Sequence, residues 1–401
     1  MRDLSVGMVF AKFVGFMMKN ALKYLVIVSL LLSLVSCHED EPAPPVKEVH
    51  RTVLVYMVAD NSLGGQGDDD SDIDEMIQAA AAGDIGDGRL LVYHNRPGTN
   101  NGNAPELLEI TPMGKKVLKT YPDDPQKYSV DVDHMKEVFA DVKRLSPADD
   151  YGLVLWSHGM GWVENGASRA PVLRSFGDDR GVTMKVSSLA RALDGEGFSF
   201  VYFDCCYMAS VEVAYELRNV TPLIIASATE LPAAGMPYQS NVKAFFSEPL
   251  DVVRAARNTF ELYDGQVAYM RTCTMSVIDT SVLDELATVV GQIMESGVMP
   301  TVSRDRQQRF MVSSDCMFYD LGRYIETLDC DPLLVERFND VMGRVVRYKA
   351  STPYIWGRLK IEHHSGLSVY PVYELSDASR DGYSNQAWWR DVVSRNPNIK
   401  K

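Results

Sequence analysis

An α/β fold built around a mostly parallel sheet is what this sequence predicts, and two patterns predict it. Runs of β-branched and apolar residues recur without polar alternation, which marks strands covered on both faces. Stretches of helical periodicity separate most of those runs, the alternation expected of an α/β chain. A hydrophobic content of 46% over 401 residues supplies a large buried core and excludes a disordered or fibrous protein.

In chain order, "TVLVYMVAD" (Thr52 to Asp60) reads as a central strand. Similar runs follow at Arg89 to Asn95, Tyr151 to Gly159, Phe198 to Asp204, Pro222 to Ala228, Tyr269 to Asp279 and Gly366 to Val372. Helical patterns cover Ser71 to Ala82, Val130 to Leu145, Lys185 to Leu193 and Ser210 to Leu217, and the region from Val282 to Tyr348 reads as mostly helical. No internal repeat is visible, and no break in composition divides the chain after residue 50.

The N-terminus stands apart from the fold. Lys19 and Lys23 lead into "YLVIVSLLLSLVSC", an apolar run ending in small residues and Cys37, which reads as an export signal. Leu34-Val35-Ser36-Cys37 resembles a bacterial lipobox, in which the cysteine becomes the lipidated first mature residue. Residues 1–37 are therefore expected to be a lipoprotein signal peptide, 38–50 an acidic proline-rich tether, and 51–401 the functional domain. A plain transmembrane anchor is the alternative, but the apolar run is short of the ~20 residues a span needs. Met17 and Met18 offer alternative starts.

Net charge is −14, and residues 1–37 carry four basic residues and one acid, so the rest of the chain carries about −17. That balance excludes nucleic acid as a partner and leaves membrane attachment to the lipid alone. An exported lipoprotein at the outer membrane, cell surface or periplasmic face is expected, acting as a monomer. Of six cysteines, five follow Cys37, an odd and widely spaced set that makes a poor disulfide framework. At least one free thiol is expected, and no CxxC pair suggests a metal site.

In open α/β sheets ligands gather at the carboxyl ends of the strands. The first such end carries Gly64, Gly65 and Gly67, but Asp68, Asp69, Asp70, Asp72 and Asp74 follow at once and would repel a phosphate. An acidic helix start explains them better than calcium, because the EF-hand spacing is missing. The second end carries His158 between small residues, and the third carries Cys205 and Cys206, 48 residues after the histidine in the case of Cys206. A cysteine nucleophile with its histidine about 50 residues upstream is the caspase arrangement. Of the two thiols, Cys206 lies nearer the following helix, whose positive end would favour thiolate; Cys205 is expected to point to the opposite face, buried and inert. Without His158 the pair would read as small residues packed at a strand end.

"YMVADNSL", "LVLWSHGMGW", "FDCCYMASVEVAYELRN", "ASATELPAAGMPY" and "HHSGLSVYPV" together resemble the clostripain-like cysteine peptidases, relatives of caspases, legumains and gingipains. The resemblance runs from Arg51 to the C-terminus. It implies a caspase-like three-layer α/β/α sandwich with extra C-terminal helices, with His158 as catalytic histidine and Cys206 as nucleophile. Such a thiolate attacks the scissile carbonyl while the histidine protonates the leaving amine. The Gly159 and Cys206 amides would be the oxyanion donors. Family members cleave after Arg or Lys, which assigns Asp204 and Glu230 to the primary (S1) pocket, where a carboxylate pairs with a guanidinium. Ala233, Ala234 and Met236 depart from the family pattern and bear on pocket depth. Relatives often cut themselves between the histidine and cysteine strands, where this chain offers Arg169, Arg174 and Arg180, with Arg174 the preferred site. No cofactor is required, while calcium activates some relatives. Protein or peptide substrates containing Arg or Lys are the implied partners. A catalytically inactive surface-binding lipoprotein on the same fold, or peptide ligation at the same dyad, are the alternatives. Tyr319 to Leu321 and Trp388-Trp389 read as helix capping and core packing.

Overall fold

A computed structural model of the chain describes residues 48–98, 102–163, 175–298, 303–312, 317–371 and 382–399. Its strands are β1 (Val49–Val58), β2 (Arg89–Asn95), β3 (Glu106–Thr111), β4 (Gly114–Thr120), β5 (Ala148–Trp156), β6 (Phe176–Asp179), β7 (Val182–Met184), β8 (Phe198–Asp204), β9 (Leu223–Ala226), β10 (Thr274–Asp279), β11 (Tyr319–Asp320), β12 (Val346–Ser351), β13 (Tyr354–Ile355), β14 (Leu359–Lys360) and β15 (Ser368–Val369). The helices are α1 (Ser62–Gln66), α2 (Asp68–Ala81), α3 (Val132–Leu145), α4 (Val186–Leu193), α5 (Val211–Glu216), α6 (Tyr238–Phe245), α7 (Val252–Asp264), α8 (Leu283–Glu295), α9 (Leu321–Glu326), α10 (Pro332–Val345) and α11 (Ala387–Asp391).

Nine strands form one sheet in the order β12-β10-β9-β8-β5-β1-β2-β3-β4. The five at its centre, β9-β8-β5-β1-β2, pair in parallel, and antiparallel strands extend both edges. The continuous apolar runs are explained by burial on both sides: along β1, Leu54, Tyr56 and Val58 face one core, while Val53, Val55 and Met57 face the other. Helices α3, α4, α5 and α8 cover the first face, and α2, α6 and α7 cover the second. The result is the expected α/β sandwich of three layers, with α9 to α11 added at the C-terminal side.

Several expectations need correction. The run from Tyr269 opens in a short 3-10 turn, and its strand is only Thr274–Asp279. Among the described residues of Gly366 to Val372, Ser368 and Val369 form the strand, paired with β11 outside the main sheet. The C-terminal helical region ends in β12, an edge strand whose alternating exposure (VRYKAS) reflects one solvated face. The β3–β4 hairpin and helices α6 and α7 were not foreseen. Asp320 caps α9 by accepting from the Arg323 amide, and Trp388 is core, both as read from the sequence.

Candidate active site

Parallel pairing of β1, β5 and β8 aligns their carboxyl ends, with Met57 opposite Trp156 and Trp156 opposite Asp204. The loops after β1 and β5 are then stitched to each other and to β6. Asn61 caps α1 and donates its amide to the carbonyls of Val58 and Asp178, each at 2.8 Å. Ser157 Oγ donates to the Val58 carbonyl at 2.9 Å. The His158 carbonyl accepts from the Gly177 amide at 3.0 Å, which fixes the backbone of the histidine.

His158 and Cys206 line one cleft of about 340 Å³, together with Trp156, Asp204, Glu230 and Trp356 among others. His158 Nε2 lies 2.8 Å from Ser62 Oγ, on the first turn of α1. Gly159 is required by close approach: a Cβ there would sit 2.8 Å from both the Cys205 Cβ and the Cys206 carbonyl oxygen, inside contact distance. Only a residue without a side chain lets the histidine loop lie on the cysteine loop. Among the described residues, the Gly159 and Cys206 amides donate to no backbone carbonyl.

The two thiols part company as expected. Cys205 is 3% exposed and donates its S–H to the Leu155 carbonyl at 3.1 Å, packed into the core on the α3–α5 side. Cys206 is half-buried; its sulfur accepts from the Leu231 amide at 3.4 Å and faces the Leu231 carbonyl at 3.7 Å. Burial holds the Cys205 thiol well above the usual range. The helix-end argument for a low Cys206 pKa is overturned. Helix α5 starts only at Val211, is six residues long, and has its Val213 amide capped by the Ser210 side chain. Burial, aided by the nearby charges of Glu230 and Asp204, instead pushes the Cys206 thiol up to about 12, against a smaller downward pull from the Leu231 amide.

Asp204 is 6% exposed and accepts from the Met236 amide at 3.1 and 3.3 Å through its two oxygens. The turn that delivers this amide needs Gly235, with φ +58°; a Cβ there would lie 2.7 Å from the Asp204 carboxylate. Burial raises the Asp204 pKa, the Met236 amide hydrogen bond opposes the rise, and the charge of Glu75 adds to it. A second acid, missed by the sequence reading, shares this face. Asp72 is 3% exposed on α2 and accepts from Trp156 Nε1 at 2.6 Å. Its pKa is raised by burial first and by Asp204 second. A sequence signal existed: Asp69 and Asp72 fall on the same buried stripe as Ile73, Met76, Ala79 and Ala80. Glu230 lines the cleft, with its carboxylate bonded to the Trp356 indole N–H; Trp356 was also unforeseen, lying 126 residues from its partner.

Cys37, Arg169, Arg174 and Cys316 lie outside the described residues. Arg180 is described and is bonded to Asp179 at 2.8 Å. Cys205, Cys206, Cys273 and Cys330 are free thiols. Among the described residues, no group of three or more His, Cys, Asp or Glu is arranged to hold a metal ion, and no helix is long and apolar enough to cross a membrane.

The family model of the clostripain peptidases matches residues 55–342. The chain belongs to the clostripain family. This clostripain-family cysteine protease shares its fold with a secreted C11 cysteine protease from Bacteroides thetaiotaomicron, "iotapain", at 26% identity and a TM-score of 0.75, covering 86% of this chain and 100% of that one. An inactive zymogen C11 protease from Parabacteroides distasonis gives 28% identity and a TM-score of 0.75, over 86% and 99% of the two chains. A secreted B. thetaiotaomicron C11 protease in complex with an irreversible peptide inhibitor gives 28% and 0.71, over 86% and 99%. No curated protein sequence matches the clostripain-family chain.

Proposed function

We propose that the protein is an exported, lipid-anchored cysteine endopeptidase that cleaves after Arg or Lys, with Cys206 as nucleophile and His158 as its acid–base partner. The observation that carries this reading is the shared cleft: an imidazole, a thiol and a buried carboxylate open onto one cavity. In the reaction, His158 takes the Cys206 proton as the sulfur attacks the scissile carbonyl carbon. The developing oxyanion is met by the Gly159 and Cys206 amides. His158 then protonates the departing amine, leaving an acyl-enzyme, and activates the water that releases the acid.

A thiol held high in the resting enzyme suits this scheme once substrate is considered. The same carboxylates that raise Cys206 are those assigned to a basic P1 side chain, so a bound guanidinium offsets their charge and makes thiolate easier to form. Ser62 serves as a positioning residue, orienting His158 through Nε2 and leaving Nδ1 for the sulfur. Self-cutting at Arg174, attachment through Cys37 and action as a monomer complete the reading, and a calcium requirement is tested by chelation during the assay.

The deciding experiment is hydrolysis of a fluorogenic peptidyl-arginine by the full mature chain, with and without iodoacetamide, beside the Cys206→Ala variant. Turnover that is lost on alkylation and absent from the variant is expected. Turnover that survives in Cys206→Ala, or none in the wild type even after limited trypsin treatment, would overturn the reading, the latter in favour of a binding lipoprotein.

A further inference from the structure

A second hollow of about 550 Å³ adjoins the cleft, lined by Glu230, Tyr269, Val312, Trp356 and Arg358. It shares Glu230 and Trp356 with the cleft that holds His158 and Cys206. Trp356 stands at the tip of the β13–β14 hairpin with a left-handed φ of +52°, next to Gly357 at +65°. A bulky side chain rarely adopts that conformation, and residues that do so cluster at ligand clamps. Two bonds hold it: its amide donates to Thr272 Oγ1 at 3.1 Å, and its indole N–H donates to Glu230. Tyr269 lies alongside, its Cα 3.7 Å from where a Cβ on Gly357 would stand. Tyr269 is 62% exposed although it is aromatic, and Val267 and Tyr354 are exposed as well. Single exposed apolar residues are ordinary, but an exposed aromatic ring that lines a hollow adjoining the cleft offers a binding surface. Of the residues lining the hollow, Tyr269, Val312 and Arg358 have no part in the chemistry described above.

We propose that this hollow is a second specificity subsite, which takes a large aromatic or apolar side chain of the substrate within a few residues of the scissile bond, seated between Trp356 and Tyr269. The inference rests on the peptidase reading and extends it. An extended peptide advances about 3.3–3.6 Å per residue and turns alternate side chains to opposite sides. A chain anchored by its P1 cation at Asp204 therefore presents a neighbouring side chain to the adjoining hollow. The apolar ring of that side chain would lose water against the indole and phenol faces.

The test uses internally quenched peptides with one Arg at the cut and Ala elsewhere, in which a single Phe is walked from four residues before the cut to three after it. One position should raise kcat/KM by about tenfold over the all-Ala parent, the scale of one well-filled apolar pocket. In Tyr269→Ala that gain should fall to about twofold or less, with the parent peptide cut at the wild-type rate, and Tyr269→Phe should restore the gain. A parent that is cut with no Phe response at any position, or a response unchanged in Tyr269→Ala, would overturn the subsite alone. Failure to cut any Arg peptide would overturn the peptidase reading and the subsite with it.

Discussion

Asp204 and Cys205 are consecutive residues, almost equally buried, and face opposite sides of the sheet. Cys205 meets aliphatic and aromatic packing and needs one carbonyl to satisfy its weak donor. Asp204 accepts from the neutral Met236 amide and shares its side with Asp72, which accepts from the neutral Trp156 indole N–H. One side is therefore complete without a ligand, while the other concentrates carboxyls against partners that carry no positive charge. Equal burial produces inert packing in the first case and carboxyls with raised pKa values in the second. Cys206 lies at the border between them, which is why its thiol responds to the charges on the acidic side.

The largest test of this contrast exchanges the two thiols. Cys206→Ala should lower kcat by about 10⁴ or more, the scale of losing a nucleophile, while Cys205→Ala should stay within about threefold and lose only about 1 kcal/mol of stability. Comparable losses in both would erase the distinction between the faces. Next, Asp204→Asn should lower kcat/KM on Arg peptides by about 10²–10³, the range expected when a buried carboxylate–guanidinium pair is broken. The same change removes a charge that raises the Cys206 thiol, so iodoacetamide should alkylate the variant faster than the wild type near neutral pH. Slower alkylation would separate the acid from the sulfur.

A smaller effect is expected at Ser62. Ser62→Ala should reduce kcat by about tenfold with KM little changed, because it removes the hydrogen bond that orients the His158 ring, and Ser62→Thr should recover most of it. The smallest prediction concerns Asp72. Burial raises its folded-state pKa, so the folded chain holds this proton more tightly than the unfolded chain does. The stability it contributes is full below the ordinary carboxylate pKa of about 4 and is lost as pH rises toward the folded value. Asp72→Asn should therefore match the wild type in Tm near pH 4 and exceed it by a few degrees at pH 8. An unchanged difference between the two pH values would remove Asp72 from the acidic side.

The parallel centre of the sheet was legible because burial on both faces leaves an uninterrupted apolar run, and the histidine and cysteine were legible because strand ends in such sheets gather function. Edge strands β3, β4 and β12 were not, since a half-solvated strand carries weaker patterning that a neighbouring helix can mask. Asp72 was obscured by the acids around it, of which only the inward-facing ones matter. Glu230 was visible as an acid near the site, but its bond to Trp356 spans 126 residues, and no local pattern reports a contact of that reach. The expectation of a low Cys206 pKa left out burial, which raises the thiol, and placed the start of the helix earlier than Val211.

Gly159 makes the histidine loop lean directly on the loop after β8, so the pair of functional groups exists only once β5 and β8 lie side by side. Parallel neighbours need a crossover connection between them and come together slowly compared with local structure. A chain still folding thus carries a separated imidazole and sulfur, and has no paired groups to turn on itself or on its neighbours until the sheet has zipped. Safety during synthesis is in this way a property of topology, ahead of any later activation step.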